Sequence, residues 1–344
     1  MSNRPSLLTR LRRRISERKR RRRFARALEH VHGDPSDVGS GDVLAIVLVR
    51  NGMYHLDAFF DYYRRLGIKS FAFVDNGSTD GTCARIAREP GTVIDRVALP
   101  LAQFEDLMRA YPAQTYGADR WCLYVDMDEQ FDFEGRDRIG LSGLIGYLEG
   151  RGDTALMAQM LEMFPDAPLS ETAHLDFAQS LERFRFYDTT TIDRFDYHSP
   201  DIPFEALLRD NTVPSASLQF YFGGVRGRVF AEACCLTKHP LIFNGPQVRP
   251  APHPHLSQGV KLADFSAVIR HYKFAGNSAA RDRAQAAGLA HGEDRARLAV
   301  LEETPDVSLY ADSAARWTGI DALYEGGFLV RSDSFTRHIA QVSQ

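Results

Sequence analysis

The segment "WCLYVDMDEQF", Trp121 to Phe131, sets an aromatic and aliphatic run directly against Asp126, Asp128 and Glu129. Three carboxylates within four residues repel one another and resist burial, so the arrangement needs a counter-charge. A divalent cation meets that need. Asp126 and Asp128 stand at i and i+2, which share a face in extended backbone. A slight turn there lets both reach one ion. Mn2+ or Mg2+ suits such oxygen donors and completes its shell with water and substrate phosphates. Glu129 points away in this reading and orients its neighbours.

Two further loops carry polar chemistry. "VDNGSTDGT" holds Asp75, Asn76 and Gly77. Its Asn-Gly and Asp-Gly pairs suit a tight turn. After a parallel strand, the same loop offers backbone N–H groups and an acid able to read a base or ribose. "VRNG" adds Val49, Arg50 and Asn51.

These loops need a scaffold that gathers them. "VLAIVLV" is a continuous apolar run, as expected of a strand buried on both faces. Leu56, Phe59, Phe60, Tyr63 and Leu66 follow at helical spacing, with Gly67 as C-cap. "SFAFV", "TVIDRVAL" and "WCLYVD" read as further strands, separated by the short helix "CARIARE" and a partly helical stretch around 103–118. Repeated β-α-β units imply an α/β fold with a mainly parallel sheet covered by helices. Ligands in such sheets gather at the carboxyl ends of strands, where all three polar loops fall. Later, "TALMAQMLEMF" reads as a core strand, "FYFGGVRGRVF" as a glycine-interrupted strand and "SAVIRHYKF" as a short one. Residues 278–344 read as a C-terminal helical segment after a main domain spanning 41–277.

The net charge of −3 hides an asymmetry. Residues 1–26 hold 12 Lys/Arg against one acid, Glu17, for +11; the remainder holds 30 Lys/Arg against 44 Asp/Glu, for −14. Residues 1–40 therefore read as a basic tail and linker. Such a block is either solvated and disordered or adheres to an anionic membrane surface. Nucleic-acid binding is not expected, because the tail interleaves no aromatics and the body is acidic. No apolar run reaches the roughly 18–20 residues that span a bilayer, and no apolar segment of a secretory signal follows the basic start. Of four cysteines without paired spacing, three sit in apolar or helical surroundings and read as reduced core residues, and the expected location is the cytoplasmic face of a membrane.

The stretch "LVRNGMYHLDAFFDYYRRLGIKSFAFVDNGSTDGT", followed by "WCLYVDMDEQF", resembles the nucleotide-binding half of family 2-type glycosyltransferases. It is most similar to the bacterial branch with Arg-Asn in its first loop and Asp-x-Asp-Glu as its metal motif. The similarity covers residues 43–135 clearly and extends more weakly through "LEMFPDAPLSE", "GGVRGRVF", "LTKHPL" and "IRHYKF". The resemblance implies a GT-A fold, a nucleotide-diphospho-sugar donor of UDP or GDP type, a glycan or lipid-linked acceptor, and Mn2+ or Mg2+. It implies base or ribose contact at Asp75, with Val49, Arg50, Asn51, Asn76 and Gly77 beside it, and Asp126 with Asp128 bridging metal and diphosphate. The branch usually has Asn-Glu where this chain has Asn51-Gly52, and the Glu-Asp pair that carries the base in many relatives has no clear counterpart.

Glycosyl transfer through an oxocarbenium-like transition state builds negative charge on the leaving diphosphate. Arg226, Arg228, Lys238 and Lys273 are the candidates to meet it. His271 is the candidate to close the metal shell. An inverting enzyme also needs a carboxylate to deprotonate the acceptor, and Glu162, with Asp166 behind it, fills that role in this reading. The competing assignments are a nucleotidyltransferase on the same metal and nucleotide site and a basic-tailed membrane or nucleic-acid adaptor. A nucleotidyltransferase usually carries a Gly-rich basic phosphate loop, which "VRNGMYHLDAFF" lacks.

Overall fold

The structure, a computed structural model, describes residues 7–39, 41–286 and 292–342. Its centre is a nine-stranded sheet. In chain order the strands are β1 (Leu28–His32), β2 (Leu44–Val49), β3 (Ser70–Asp75), β4 (Thr92–Val97), β5 (Trp121–Tyr124), β6 (Glu129–Asp132), β7 (Ala155–Glu162), β8 (Thr237–Phe243) and β9 (Leu262–His271). Across the sheet they lie in the order β1-β4-β3-β2-β5-β8-β7-β9-β6. Strands β2, β3, β4, β5, β7 and β9 run one way, and β1, β8 and β6 run against them. The fold is α/β, with a mixed sheet in which parallel strands predominate.

Helices cover both faces of the first half. The apolar run of β2 splits by alternation: Ala45, Val47 and Val49 face the core under the Leu56–Leu66 helix, while Leu44 and Ile46 face the opposite core. That helix buries Phe59, Phe60, Tyr63 and Leu66 and ends at Gly67, whose φ of 103° only glycine adopts without strain. The Leu101–Tyr116 helix covers the other face, with Phe104, Met108 and Ala113 buried.

The organisation differs from expectation within the segment read as residues 1–40: the described residues 7–39 are not a detached tail and linker. Leu7–Ala27 is one helix, β1 pairs antiparallel with β4, and Pro35–Val38 forms a capped turn that buries Val38. The C-terminal segment carries helices, as Gly292–Glu303 and Asp333–Val342 show, and its Leu301, Leu309, Leu323, Phe335 and Ile339 belong to the same core as β2. Finally, "FYFGGVRGRVF" is a strand only through Gly223. Positive φ at Gly223 (78°) and Gly224 (64°) turns the chain into the Gly224–Phe230 helix.

Candidate active site

Strand β5 ends in mid-sheet, whereas β6 lies on the far edge beyond β8, β7 and β9. The Val125–Asp128 link must therefore cross the first residues of β8 and the last residues of β7 and β9. That crossing explains why side chains over 100 residues apart in sequence meet. Lys238, at the start of β8, places Nζ 3.1 Å from Asp126 Oδ2 and 2.5 Å from Glu129 Oε1. Arg109, from the Leu101–Tyr116 helix, lies 3.0 Å from Asp126 Oδ1 and is itself paired with Glu105 at 2.9 Å. Glu129 Oε2 accepts the Asp126 amide at 3.1 Å, so this acid does orient its neighbour. His271, ending β9, lies between Asp128 (Nε2 at 3.4 Å) and Glu162 (Nδ1 at 3.1 Å).

Exposure sorts these groups into a floor and a rim. The side chains of Glu129 (1%), Lys238 (6%) and Glu162 (5%) are buried, while those of Asp126 (25%) and Asp128 (24%) remain open to solvent. Burial alone would raise the pKa of Asp126, but Arg109 and Lys238 outweigh it and hold the group down. Burial opposes ionisation of Asp128 too, yet neighbouring His271 keeps it well below the usual carboxylate range. Burial raises Glu129 despite Lys238. His271 would be depressed by burial, but Glu162 and Asp128 raise it to about 10. The rim is thus two ionised carboxylates over a buried, nearly charge-balanced floor.

A divalent metal fits this donor set. Two hard carboxylates face outward, and His271 turns Nδ1 to Glu162 and Nε2 toward Asp128, the carboxylate–imidazole arrangement that orients metal-binding histidines. Among the described residues, no three His, Cys, Asp or Glu side chains already close around one point. Metals that take one or two carboxylates plus substrate phosphates do not require such a cage.

The two loops expected to bind a nucleotide share this edge. Asn51, at φ 52°, accepts the Thr79 amide at 2.8 Å, and the Asn76 amide donates to the Val49 carbonyl at 2.8 Å, so the two loops are stitched together. Arg50 is half-buried at the end of β2. Gly77, at φ 83°, makes the turn. Asn76 spends its side-chain amide on the Val97 and Leu99 carbonyls. Asp75 is wholly buried; it accepts Arg96 Nε at 2.8 Å and the Ser78 amide at 3.0 Å. A ligand approaching Asp75 therefore meets the Arg96 guanidinium first. At Gly52 an added Cβ would lie 2.8 Å from Val49 Cγ2, so an acid there requires the Val49 side chain or the loop to shift.

The remaining candidates disperse. Glu162 is held by His271 and by the Lys273 amide at 3.3 Å, which makes it a support for His271 in this arrangement. Asp166 pairs with Arg183 at the surface. Arg226 is buried against Glu232, and Arg228 turns to the Leu309 carbonyl at 2.6 Å. Only Lys238 and Lys273 of the four basic candidates flank the rim; Lys273 helps hold down the Asp128 pKa. Sequence reasoning missed Arg109, Arg96 and His55. Arg109 has a sequence signal, the Glu105–Arg109 spacing of i,i+4, and Arg96 stands in register with Asp75. His55 is buried, its Nε2 has no hydrogen-bond partner among the described residues, and burial lowers its pKa to about 4 against the pull of Asp128. Nothing in its spacing announced it.

Set beside known proteins, the chain matches no family model and no curated sequence.

Proposed function

We propose that this protein is a metal-dependent glycosyltransferase of GT-A type, moving a sugar from a nucleotide-diphospho-sugar to a glycan or lipid-linked acceptor. One observation carries the reading: Asp126 and Asp128 stand partly open to solvent over a buried floor, on the sheet edge that also bears the Val49–Asn51 and Asp75–Gly77 loops. Mn2+ or Mg2+, held by the two aspartates and His271, would supply a Lewis acid for the departing diphosphate. The protein's own residues do the rest. Arg109 and Lys238 fix Asp126, Glu162 holds the His271 ring, and Lys273 adds positive charge beside the leaving group.

A nucleotidyltransferase would use the same edge, and the products separate the two. Transfer of the sugar releases a nucleoside diphosphate, whereas nucleotidyl transfer from a triphosphate releases pyrophosphate. The test is release of nucleotide from a panel of UDP- and GDP-sugars with Mn2+. Asp126→Asn and Asp128→Asn should each cost at least ~100-fold in turnover with the fold retained. Full turnover in the presence of EDTA would refute the metal assignment.

A further inference from the structure

The basic helix Leu7–Ala27 does not hang free, and how it is fixed decides which of its charges face outward. Phe24 is buried in a small core with Val97, Leu99, Phe104 and Met108. Arg20 pairs with Asp106 at 2.6 Å and donates to the Gln103 carbonyl at 2.8 Å. These anchors leave Lys19, Arg22, Arg23 and Arg26 together, at the i, i+3, i+4, i+7 spacing of one helical face. With Ala27 and Leu99 they line an open groove of about 550 Å3. None of the four makes an ion pair among the described residues; Arg23 stacks over Phe104 at 5.3 Å.

The groove's place in the fold gives it meaning. The helix runs into β1, whose first residue, Leu28, is in register with Val97, the last residue of β4. Val97 lies at the carboxyl edge of the parallel strands, and the Asn76 side chain donates to both Val97 and Leu99. The cationic groove thus opens on the same sheet edge as the Asp126–Asp128 rim, beside the loop that follows β3.

We propose that this groove docks the protein on an anionic bilayer, with phospholipid phosphates against Lys19, Arg22, Arg23 and Arg26. The array favours an extended anionic surface over a small soluble anion, because its cations are exposed and spread along the helix instead of converging on one buried point. Single-stranded nucleic acid is disfavoured, since the helix's one aromatic, Phe24, is buried and offers no stacking platform. Among the described side chains of the helix, Ile15 is the one large apolar group exposed, so docking is electrostatic and at headgroup level. It turns the candidate site toward a lipid-borne acceptor. That last consequence rests on the transferase reading, whereas the docking itself does not.

The test uses the full chain and vesicles of phosphatidylcholine, with or without about 30% phosphatidylserine, in sedimentation assays that need no nucleotide sugar. The variant K19Q/R22Q/R23Q/R26Q should lose at least ~10-fold in affinity for the anionic vesicles. The equally discharged R10Q/R12Q/R13Q/R14Q should lose much less. Wild-type binding should weaken steeply with salt and be absent on pure phosphatidylcholine. Because Arg20 and Phe24 are retained, both variants should keep the wild-type melting curve; a melting change confined to the groove variant shifts the decision to the wild-type salt and lipid series. Equal losses in the two variants, binding to neutral vesicles, displacement by millimolar pyrophosphate, or preference for DNA at matched salt would each overturn the proposal.

Discussion

Lys238 gives the sharpest test of the charge arrangement under the rim. In Lys238→Met a near-isosteric apolar chain replaces the ammonium that sits 2.5 Å from Glu129 and 3.1 Å from Asp126. Asp126 keeps Arg109 at 3.0 Å, so Glu129 is the group left buried without its cation. Losing one partner of a buried pair costs about 3–5 kcal/mol when the survivor must stay charged. Glu129 has an escape, which is to take up a proton. At pH 7 that costs about 1.36 kcal/mol for each of the roughly 2.5 units above its ordinary value of 4.5, or near 3.4 kcal/mol. Protonation therefore limits the charge-burial part of the destabilisation at pH 7 to about 3.4 kcal/mol. The sign follows from proton counts: in the variant the folded state binds a proton that the unfolded state lacks, so relative stability falls as pH rises. The deficit should shrink toward pH 5 and grow as pH rises, with a slope of up to about 1.4 kcal/mol per pH unit. Urea denaturation of wild type and variant at pH 5, 6, 7 and 8 measures it. A deficit that stays constant across this range would refute the pairing of Lys238 with a buried, ionised Glu129.

Two other perturbations address neighbouring features. Glu162→Gln removes the carboxylate that faces His271 Nδ1 and should weaken Mn2+ binding by about 10–100-fold in calorimetry, with the aspartates intact; unchanged affinity would place His271 outside the metal shell. His239 is buried, accepts the Ser257 amide at Nδ1 and lies 3.1 Å from the Tyr197 hydroxyl, and burial lowers its pKa to about 4. Its unfolded counterpart titrates near 6.5, so acidification from pH 6.5 to 5 favours unfolding by about 2 kcal/mol through this group alone. His239→Gln should flatten that part of the stability profile, and an unaltered profile would show that the ring charges without cost.

How much of this was legible in the sequence depends on the distance over which each feature is decided. Strands β2, β3, β4 and β5 and the Leu56–Leu66 helix announced themselves because burial on both faces or one writes a local pattern. The three polar loops were readable for the same reason, since a parallel strand ends in its own turn. What stayed hidden is set by pairing across the chain. Strand β8 inserts antiparallel between β5 and β7, and nothing in "TKHPLIF" encodes direction or neighbour. Lys238 could be noticed as a basic residue, but not that it would lie under Asp126 instead of facing a phosphate. The N-terminal block read as a tail because charge density dominates its composition, whereas two residues, Arg20 and Phe24, decide that it docks.

The same reasoning explains why the Asp-x-Asp-Glu segment is tolerated at all. A strand ending in three acids would resist folding if each had to find its own counter-charge nearby, and none lies within the loop. Here the crossing from mid-sheet to the edge passes the termini of three other strands, and each delivers one group of chosen sign: Lys238 from β8, Glu162 from β7 and His271 from β9. Arg109 adds a fourth from the helix above. Compensation is then nearly complete for Glu129, buried by its lysine. For Asp126 and Asp128 the compensating groups leave part of each carboxylate open to solvent. The fold satisfies the acids enough to form, and it leaves on the surface the two oxygen-bearing groups that a metal and a diphosphate would share.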